Sequence, residues 1–302
     1  MDPLSDVLGL LKPDTYGFRG LDAGGDWAIA FPRGEAVKCY AIRSGSCWIA
    51  LEDGAEPTPL SAGDLILLPG RSAFRLYSVA DAPPIDAHTF FPSIPAGGTG
   101  VLNGGGDCSG VGGFFDFKGV HTDLLLGILP PIVHIRADAT RVALVWLIER
   151  LMCELREPRP GGALMAGHLA QTLLIEALRL HLTERSPESV GWLFALADRQ
   201  MRDVLAAMHA APARRWTLQD LARVAGMSRS RFAVRFKGTV GEPAMDYLTR
   251  WRMLVAADRL AAGRVPIAVV APSVGYASES AFGAAFKRVF GHSPRQFTDA
   301  IR

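Results

Sequence analysis

The side chains that could do chemistry in this sequence are mainly cationic, and they are concentrated towards its end. Of the 32 lysines and arginines, 17 lie in residues 196–302, a stretch that holds only 8 of the 30 aspartates and glutamates. That stretch therefore carries a formal charge of +9, against −7 for residues 1–195, although the whole chain carries only +2. Such an asymmetry favours a polyanionic partner for the basic part. On charge alone, a solvated basic surface without a ligand is the alternative.

The histidines show no spacing typical of a metal site or a catalytic centre. In residues 1–195 they stand far apart, at His88, His121, His134, His168 and His181. A metal site needs several ligands that converge, and scattered histidines are more often structural or exposed. We therefore predict no catalytic residue, no metal ligand and no cofactor.

The cysteines allow one redox hypothesis. The chain has four, at Cys39, Cys47, Cys108 and Cys153, which is too few for a disulfide scaffold and includes no CxxC pair. Cys39 and Cys47 flank the turn at residues 44–45 and could face each other across a hairpin, which would make them a thiol–disulfide switch. The alternative is that both are small, buried hydrophobic side chains.

Length and composition indicate a globular protein of two domains. The chain has 302 residues, 49% of them hydrophobic and 21% charged, which excludes a disordered or fibrous protein. The best apolar run, Ala143–Leu151, already contains Glu149 and Arg150 and is too short to span a membrane. The first residues include an acid and no basic cluster, so no signal peptide is expected. We therefore expect a cytoplasmic protein without a membrane partner.

From residue 18 to about residue 94 the sequence alternates short apolar segments with turn residues. Strands are predicted over Val37–Ile42, Ser46–Glu52, Asp64–Leu68 and Ala73–Val79, with Gly, Pro and Asp marking the turns between them. Residues 95–113 are rich in glycine and are predicted to form a loop. This pattern is typical of an all-β barrel or sandwich.

Two amphipathic helices follow the strands. In Asp138–Leu155 and Ala163–Thr183 apolar residues recur every three or four positions, which is the period of a helix with one buried face. The connection at residues 158–162 is so short that the two helices must be antiparallel. Because their apolar faces exceed what one barrel would cover, we expect this hairpin to form a homodimer.

The last hundred residues contain one helical pattern twice, at about residues 218–237 and 267–289. Gly226 and Gly275 lie 49 positions apart, whereas Phe232 and Phe282 lie 50 apart, so the second copy carries one extra residue in its turn. The glycine of each copy follows a first helix, where a left-handed C-cap conformation is needed. The repeat therefore predicts two similar helix–turn–helix units.

The second helix of each copy has its own start signal and buried face. Ser228 and Ser278 are predicted N-cap residues. Phenylalanines four residues apart then bury one face and leave the opposite face free. Residues 242–262 join the two copies as one continuous helix. This arrangement is typical of helix-turn-helix motifs whose second helix enters the DNA major groove, and two ordinary helical hairpins are the alternative.

These residues resemble the AraC/XylS family of transcriptional regulators. The resemblance covers roughly residues 199–302 and rests on Ala222, Gly226, Ser228, Gly241, Glu242, Pro243, Leu248, Arg252, Met253, Val274, Gly275, Tyr276, Ser278, Phe282, Phe286, Lys287, Gly291 and Pro294. It implies an all-α domain of seven helices that places two recognition helices in successive major grooves. The preceding part resembles, more loosely, the family's cupin-type effector domain followed by a helical dimerisation segment.

The resemblance also implies which residues contact DNA. The base-facing positions and the two N-caps beside them are Ser228, Ser230, Ala233 and Val234 in the first recognition helix and Ser278, Glu279, Ser280, Ala281 and Ala284 in the second. The cations placed to hold phosphates are Arg229, Arg231, Arg235, Lys237, Lys287 and Arg288. Phosphate contacts of this kind provide affinity and salt dependence without sequence information.

Several of these positions allow more than one role. Val234 and Ala284 stand where family members commonly carry a long polar side chain, so only apolar contact with thymine methyl groups is open to them. Glu279 could accept a hydrogen bond from a cytosine amino group, or it could interact with the helix dipole. Each cation could also be a solvated surface residue, although the set together accounts for the basic charge of this part.

In the β-rich part, Gly63–Pro69 resembles the second cupin motif, a Gly followed after five residues by a Pro. Enzymatic cupins carry a metal-binding His five residues further on, where this chain has Phe74, and two histidines of their first motif near the positions of Lys38 and Cys39. The resemblance therefore implies a metal-free barrel with a small-molecule pocket rather than a metal-dependent oxygenase or isomerase. Candidates for the pocket lining are Tyr40, Trp48 and Phe74, with ordinary core packing as the alternative.

Together these features predict an α+β protein with a cupin-like β-barrel as effector domain at residues 1–136, a helical dimerisation hairpin and linker at 137–190, and an all-α double helix-turn-helix domain at 196–302. The expected function is sequence-specific regulation of transcription under a small-molecule or redox signal. The expected partners are duplex DNA, an effector, a second copy of the chain and RNA polymerase. Two alternatives stay open: a metal-dependent cupin enzyme fused to a DNA-binding tail, and a co-regulator that binds DNA poorly because of Val234 and Ala284.

Overall fold

The computed structural model of this chain describes residues 2–10, 13–34, 36–69, 72–117, 131–136, 142–157, 159–183, 190–263 and 265–300. These residues form two compact units. The β unit comprises the described residues between 13 and 183. The helical unit comprises residues 2–10, which contain helix α1 (Pro3–Leu10), and residues 190–300.

The β unit contains two β-sheets. Its strands are β1 (Pro13–Ala23), β2 (Ala28–Phe31), β3 (Val37–Ser44), β4 (Ser46–Leu51), β5 (Thr58–Ser61), β6 (Leu65–Leu68), β7 (Phe74–Tyr77), β8 (Pro84–Asp86), β9 (Thr99–Leu102), β10 (Cys108–Phe117) and β11 (Val133–Ile135). One sheet has the order β11-β6-β3-β10-β1-β9 and the other β5-β4-β7-β2-β8. The predicted β-rich architecture of this part of the chain is confirmed.

The two sheets share a hydrophobic core. Tyr40 and Ile42 of β3 pack in one buried cluster with Ile49 of β4 and Leu76 of β7. Because alternate residues of a strand point to opposite faces, positions two apart build such a core between facing sheets. The four residues Leu65–Leu68 of β6 are all buried, as an unbroken apolar run predicts for a strand covered on both faces.

The chain crosses from one sheet to the other between β3 and β4. These strands are not the hairpin that the sequence suggests, because β3 pairs with β6 and β10 whereas β4 pairs with β5 and β7. Gly45 forms the corner with a φ of 73°. A Cβ atom at this position would lie 1.9 Å from the carbonyl oxygen of Asp107. The corner therefore requires glycine.

Residues 95–113 are not the loop that their glycine content predicts, because they contain β9 and the first part of β10. Glycine has low strand propensity. In β10, however, aromatic rings of neighbouring strands occupy the space that side chains would fill. A Cβ at Gly112 would lie 2.6 Å from Cε1 of Tyr40, and one at Gly113 would lie 2.2 Å from Cδ1 of Phe18. The glycines thus allow the rings to lie flat on both faces of the sheet.

The helices of the β unit are α2 (Ala87–Phe90), α3 (Val142–Arg156) and α4 (Gly162–Thr183). Helices α3 and α4 form the predicted hairpin, and both contact β1. The hydroxyl of Tyr16 donates a hydrogen bond to the carbonyl oxygen of Ala163 at 2.8 Å, and Arg43 forms an ion pair with Glu149. The start predicted for the first helix, residues 138–141, lies outside the described residues.

The helical unit continues with α5 (Trp192–Ala195), α6 (Arg199–Ala210), α7 (Leu218–Val224), α8 (Arg229–Val240), α9 (Ala244–Ala261), α10 (Ile267–Ser273), α11 (Glu279–Phe290) and α12 (Pro294–Ala300). From Arg199 onwards the described residues thus form seven helices, as the resemblance implies. The two predicted helix-turn-helix units correspond to α7 with α8 and to α10 with α11.

Helix α1 packs on α6 within the helical unit. The side chain of His209 on α6 is buried, and its Nδ1 lies 3.3 Å from a carboxylate oxygen of Asp6. Its ring stacks on Trp251 at 3.7 Å between centroids, and its Nε2 lies 2.8 Å from the hydroxyl of Tyr247. A polar group inside an aromatic cluster therefore ties α1 and α6 to α9. No helix in the described part of the chain is both long and apolar enough to cross a membrane.

Candidate nucleic-acid interface

The first helix-turn-helix unit is held by caps at each helix start. Thr217 precedes α7 and shares a reciprocal capping box with Asp220. Gly226 in the turn has a φ of 65°, which a β-branched residue would not tolerate. Ser228 caps α8 by accepting a hydrogen bond from the backbone N–H of Arg231 at 3.4 Å. The sequence therefore determines locally where the turn bends and where α8 begins.

Helix α8 has one buried and one exposed face. Phe232 and Phe236 are fully buried. The opposite side carries exposed side chains, and Val234 at its centre is 77% exposed. The other exposed predicted contacts on this helix are Arg229, Ser230, Arg231 and Lys237, with Ser228 at its N-cap, while Ala233 is half-buried. The structure thus leaves these predicted positions of the first recognition helix accessible, with Ala233 only partly so.

The second unit repeats this arrangement. Ser278 caps α11 by accepting a hydrogen bond from the backbone N–H of Ala281 at 3.2 Å, and Phe282 and Phe286 are fully buried. Gly275 in the turn has a φ of 88°, and a Cβ there would lie 2.9 Å from a backbone oxygen. The exposed predicted contacts on this helix are Glu279, Ser280, Ala281, Ala284, Lys287 and Arg288, with Ser278 exposed at its N-cap.

Helix α9 contacts both α8 and α11. Its 18 residues span roughly 27 Å at the α-helical rise. Met253, Ala256 and Leu260 on this helix pack in one core with the two phenylalanines of α11. A continuous helix with buried contacts at both ends makes a rigid connection between the two recognition helices.

One predicted phosphate contact has a different environment. The guanidinium of Arg235 on α8 donates to Asp198 at 2.6 Å and to Gln200 at 2.9 Å, both at the start of α6. Gln200 in turn donates to the carbonyl oxygen of Ala225 in the turn before α8. Although burial disfavours the charge of Asp198, the Arg235 hydrogen bond holds the pKa of Asp198 below its usual value. The side chain of Arg235 is therefore engaged inside the helical unit, unlike the exposed cations on the same helix.

The structure separates the three predicted pocket residues of the β unit. Tyr40 lines a cavity of about 430 Å³. Phe74 lies behind that cavity wall, where its ring stacks on Phe31 at 4.6 Å. Trp48 is 41% exposed and does not line this cavity. Its neighbours on β4 point inwards, so the strand alternation turns Trp48 outwards.

The cysteines are also arranged differently from the hypothesis. Tyr40 on β3 faces the core that contains Cys47, so Cys39 lies on the opposite face of its sheet. Burial raises the pKa of Cys39 to about 12. The partner of Cys47 is instead Cys108, 61 positions away, to which the Cys47 thiol donates a hydrogen bond. That bond lowers the pKa of Cys108 against the effect of burial, and together with burial it raises the pKa of Cys47. No local sequence signal indicates this pair.

Two family models match different parts of this chain. A family model described as Cupin matches residues 2–183, and one described as Helix-turn-helix domain matches residues 221–300. A protein of Streptomyces lividans named as an AraC-like transcription regulator is 42% identical over 299 residues, which is 98% of each chain. The HTH-type transcriptional regulator AlkR of Acinetobacter baylyi is 31% identical, over 98% of this chain and 99% of that protein.

A structure of ToxT from Vibrio cholerae also aligns with 95% of this chain and 97% of its own, at 13% identity and a TM-score of 0.38. The family models and the full-length relatives agree with the capped, repeated helix pairs described above. This chain belongs to the AraC-like family of transcription regulators, with a cupin domain followed by a helix-turn-helix domain.

Proposed function

We propose that this protein binds duplex DNA through α8 and α11, which enter successive major grooves, and that a signal received by the β unit alters this binding. The observation that carries the proposal is the repeated pattern of the two helices. Each starts at a capping serine, buries a pair of phenylalanines and presents the central residue between them, Val234 or Ala284, to solvent. A helix with these properties is suited to the major groove.

The exposed residues divide into two chemical groups. Arg229, Arg231, Lys237, Lys287 and Arg288 are exposed, and among the described residues they have no ion-pair partner. Such cations suit phosphate contacts, which set affinity but not sequence. Arg235 is left out of this group because Asp198 and Gln200 occupy its guanidinium. We assign it to orienting α8.

Sequence readout in this proposal depends on short side chains. Val234 and Ala284 are exposed at the centres of their helices and offer apolar contact to thymine methyl groups. Ser230 and Ser280 can donate to or accept from either base. Glu279 stands in the first turn of α11, where the helix dipole favours a carboxylate, and it can also accept from a cytosine amino group. Without bidentate arginines, the expected base specificity is modest.

Hydroxyl-radical footprinting of the full chain on its own upstream region tests this proposal. Two recognition helices in successive major grooves should protect two segments about 10 base pairs apart for each bound chain. Protection of a single segment, or of none at a concentration that shifts the DNA in a gel, would contradict it. The same duplex with a scrambled sequence is the control, and equal affinity for both would favour the weakly binding co-regulator.

We further propose that the chain is not an enzyme and that it works as a homodimer. The enzyme alternative requires a metal centre, and the described residues contain no group of three His, Cys, Asp or Glu side chains able to hold one. Metal analysis of the purified full chain tests the enzyme alternative, and stoichiometric iron, manganese or zinc would favour it.

Exposed Trp146 and Val145 on α3 support a dimer contact. A cytoplasmic location and contact with RNA polymerase complete the proposal as family expectations.

A further inference from the structure

The cavity of the β unit has an unusual combination of aromatic and cationic walls. It measures about 430 Å³ and lies against the inner face of the six-stranded sheet, with α2 on its other side. Its floor consists of neighbouring residues on β1, β10 and β3. Across these strands Arg19 of β1 pairs with Gly112 of β10, which pairs with Tyr40 of β3. Phe114 of β10 pairs with Lys38 of β3. Because these positions are two residues apart on each strand, their side chains share one face.

Two cations stand at diagonal corners of this patch. From the strand spacing and the rise per residue, the Cα atoms of Arg19 and Lys38 are roughly 12 Å apart, a span that two long side chains can close. Between them the ring of Tyr40 lies over Gly112, whose missing side chain leaves room for it, and this ring forms the floor of the cavity. The rings of Phe31 and Phe114 form further walls. The cavity therefore has an apolar middle with a cation at each end.

Both cations have local contacts, but neither forms an ion pair with a described residue of the cavity lining. Nε of Arg19 donates to the carbonyl oxygen of Ile94 at 2.7 Å, and in the described part of the chain its two terminal nitrogens have no partner. Lys38 Nζ lies 5.2 Å from the centroid of the Phe114 ring. Burial lowers the pKa of Lys38, while the negative charge of Asp116 opposes that shift. Among the described residues that line the cavity there is no carboxylate.

We infer that this cavity binds an organic monocarboxylate with an apolar body. Its carboxylate accepts two hydrogen bonds from the terminal nitrogens of Arg19, in the geometry that a guanidinium favours. Lys38 adds a second positive charge, and the apolar body lies against the rings of Tyr40 and Phe114. Such a ligand supplies the negative charge that the cavity lining lacks and compensates the hydration that the partly buried cations lose.

The cavity volume limits the size of the ligand. At the roughly 30 Å³ that a water molecule occupies in the liquid, 430 Å³ holds about 14 non-hydrogen atoms. The volume is at the lower end of ordinary small-molecule sites. Suitable probes are therefore 4-phenylbutyrate as an aromatic carboxylate, decanoate as an alkyl carboxylate, and 4-phenylbutanamide as the neutral match of the first.

Isothermal titration calorimetry of the full chain with these probes tests the inference. At least one carboxylate should bind, and the amide should bind at least tenfold more weakly than 4-phenylbutyrate if the aromatic acid is the one that binds. Replacing Arg19 by Met, or Lys38 by Met, should weaken carboxylate binding at least tenfold. Arg75→Met is the matched control, because Arg75 lies 5.6 Å from the Tyr77 ring on the other sheet and does not line the cavity.

Three results would overturn the inference. They are no binding of either carboxylate at concentrations up to about 1 mM, equal affinity for the acid and the amide, and wild-type affinity in both cavity variants. Thermal unfolding shows whether each variant is folded, and the two single variants allow the test to stand if one of them is not. The inference rests on the proposed role of the β unit as the sensor. Because binding is measured without DNA, its failure is distinguishable from a failure of DNA binding, which footprinting reports.

Discussion

Arg235 on α8 donates a hydrogen bond to Asp198 at 2.6 Å, and Asp198 is also the N-cap residue of α6. The carboxylate accepts from the backbone N–H groups of Gln200 and Met201 with one oxygen and from Arg235 with the other. One side chain thus starts α6 and fixes the middle of the first recognition helix. The orientation of α8 in the helical unit depends on this ion pair as well as on its buried phenylalanines.

Replacement of Arg235 by Ala should therefore act on stability rather than on phosphate contact. We expect the free energy of unfolding to fall by about 1 kcal/mol, since a partly exposed charged hydrogen bond is lost. DNA affinity should decrease while its dependence on salt stays the same. Chemical denaturation and DNA titration at several salt concentrations check both expectations, and a reduced salt slope would show that Arg235 contacts a phosphate after all.

The turn before α8 gives a second prediction. Gly226 has a φ of 65°, and a Cβ added to it would have no atom within 4 Å, so any penalty there comes from the backbone alone. Gly226→Val should cost about 1–3 kcal/mol of stability and weaken DNA binding, because a β-branched residue resists this conformation.

Gly238 lies within α8 without a positive φ and also has open space around it. Gly238→Ala, as the control, should leave stability unchanged or raise it by up to about 1 kcal/mol. Equal effects of the two substitutions would contradict the assigned turn.

The contact between α1 and α6 predicts a pH dependence. Burial lowers the pKa of His209, although Asp6 opposes that shift. The unfolded chain protonates His209 near pH 6.5, whereas the folded chain protonates it only at a lower pH. The free energy of unfolding should therefore fall as the pH drops below about 6.5, since the unfolded state binds more protons there.

Denaturation at pH 7.5 and pH 5.5 measures this effect. His209→Gln should lose less stability between the two pH values than the unmodified chain does. His292→Gln, which changes a histidine outside this contact, is the control and should behave like the unmodified chain. Identical pH dependence in all three proteins would show that His209 does not titrate as described.

The hairpin of the β unit gives a prediction about assembly. Trp146 on α3 is 59% exposed, and large exposed apolar side chains on a helix face favour a protein contact. Sedimentation of the full chain should show a dimer, and Trp146→Glu should raise its dissociation constant at least tenfold. Val101 on β9 is similarly exposed, at 60%, and Val101→Glu is the control. A monomeric unmodified chain at micromolar concentration would contradict the dimer.

Sequence reasoning succeeds where the structure is determined locally. The capping serines, the glycine turns and the phenylalanines four residues apart act within one or two helical turns, so their spacing alone locates α8 and α11. It misses relationships that join distant segments. The bond between Arg235 and Asp198 spans 37 positions and the contact between Cys47 and Cys108 spans 61. Composition is misleading in β10, where glycine is required because Tyr40 and Phe18 fill the space of the missing side chains.

The candidate cavity shows the same limit. The sequence predicts Tyr40 in its lining but neither Arg19 nor Lys38, because their position on one face depends on the pairing of β1, β10 and β3. Trp48 has the residue type of a pocket wall, yet the strand alternation of β4 turns it to solvent. Residue type suggests a role for a side chain, whereas strand register and alternation decide whether that side chain faces the cavity.

The salt dependence of DNA affinity tests the central claim most directly. Each phosphate contact contributes about 0.9 to the slope of log affinity against log salt concentration. The double variants Arg229→Ala with Arg231→Ala and Lys287→Ala with Arg288→Ala should each lower the slope by about two per chain. Arg179→Ala, which removes an exposed arginine of α4 in the β unit, should leave it unchanged. A flat dependence for the unmodified chain, or an unchanged slope in both double variants, would contradict DNA binding through α8 and α11.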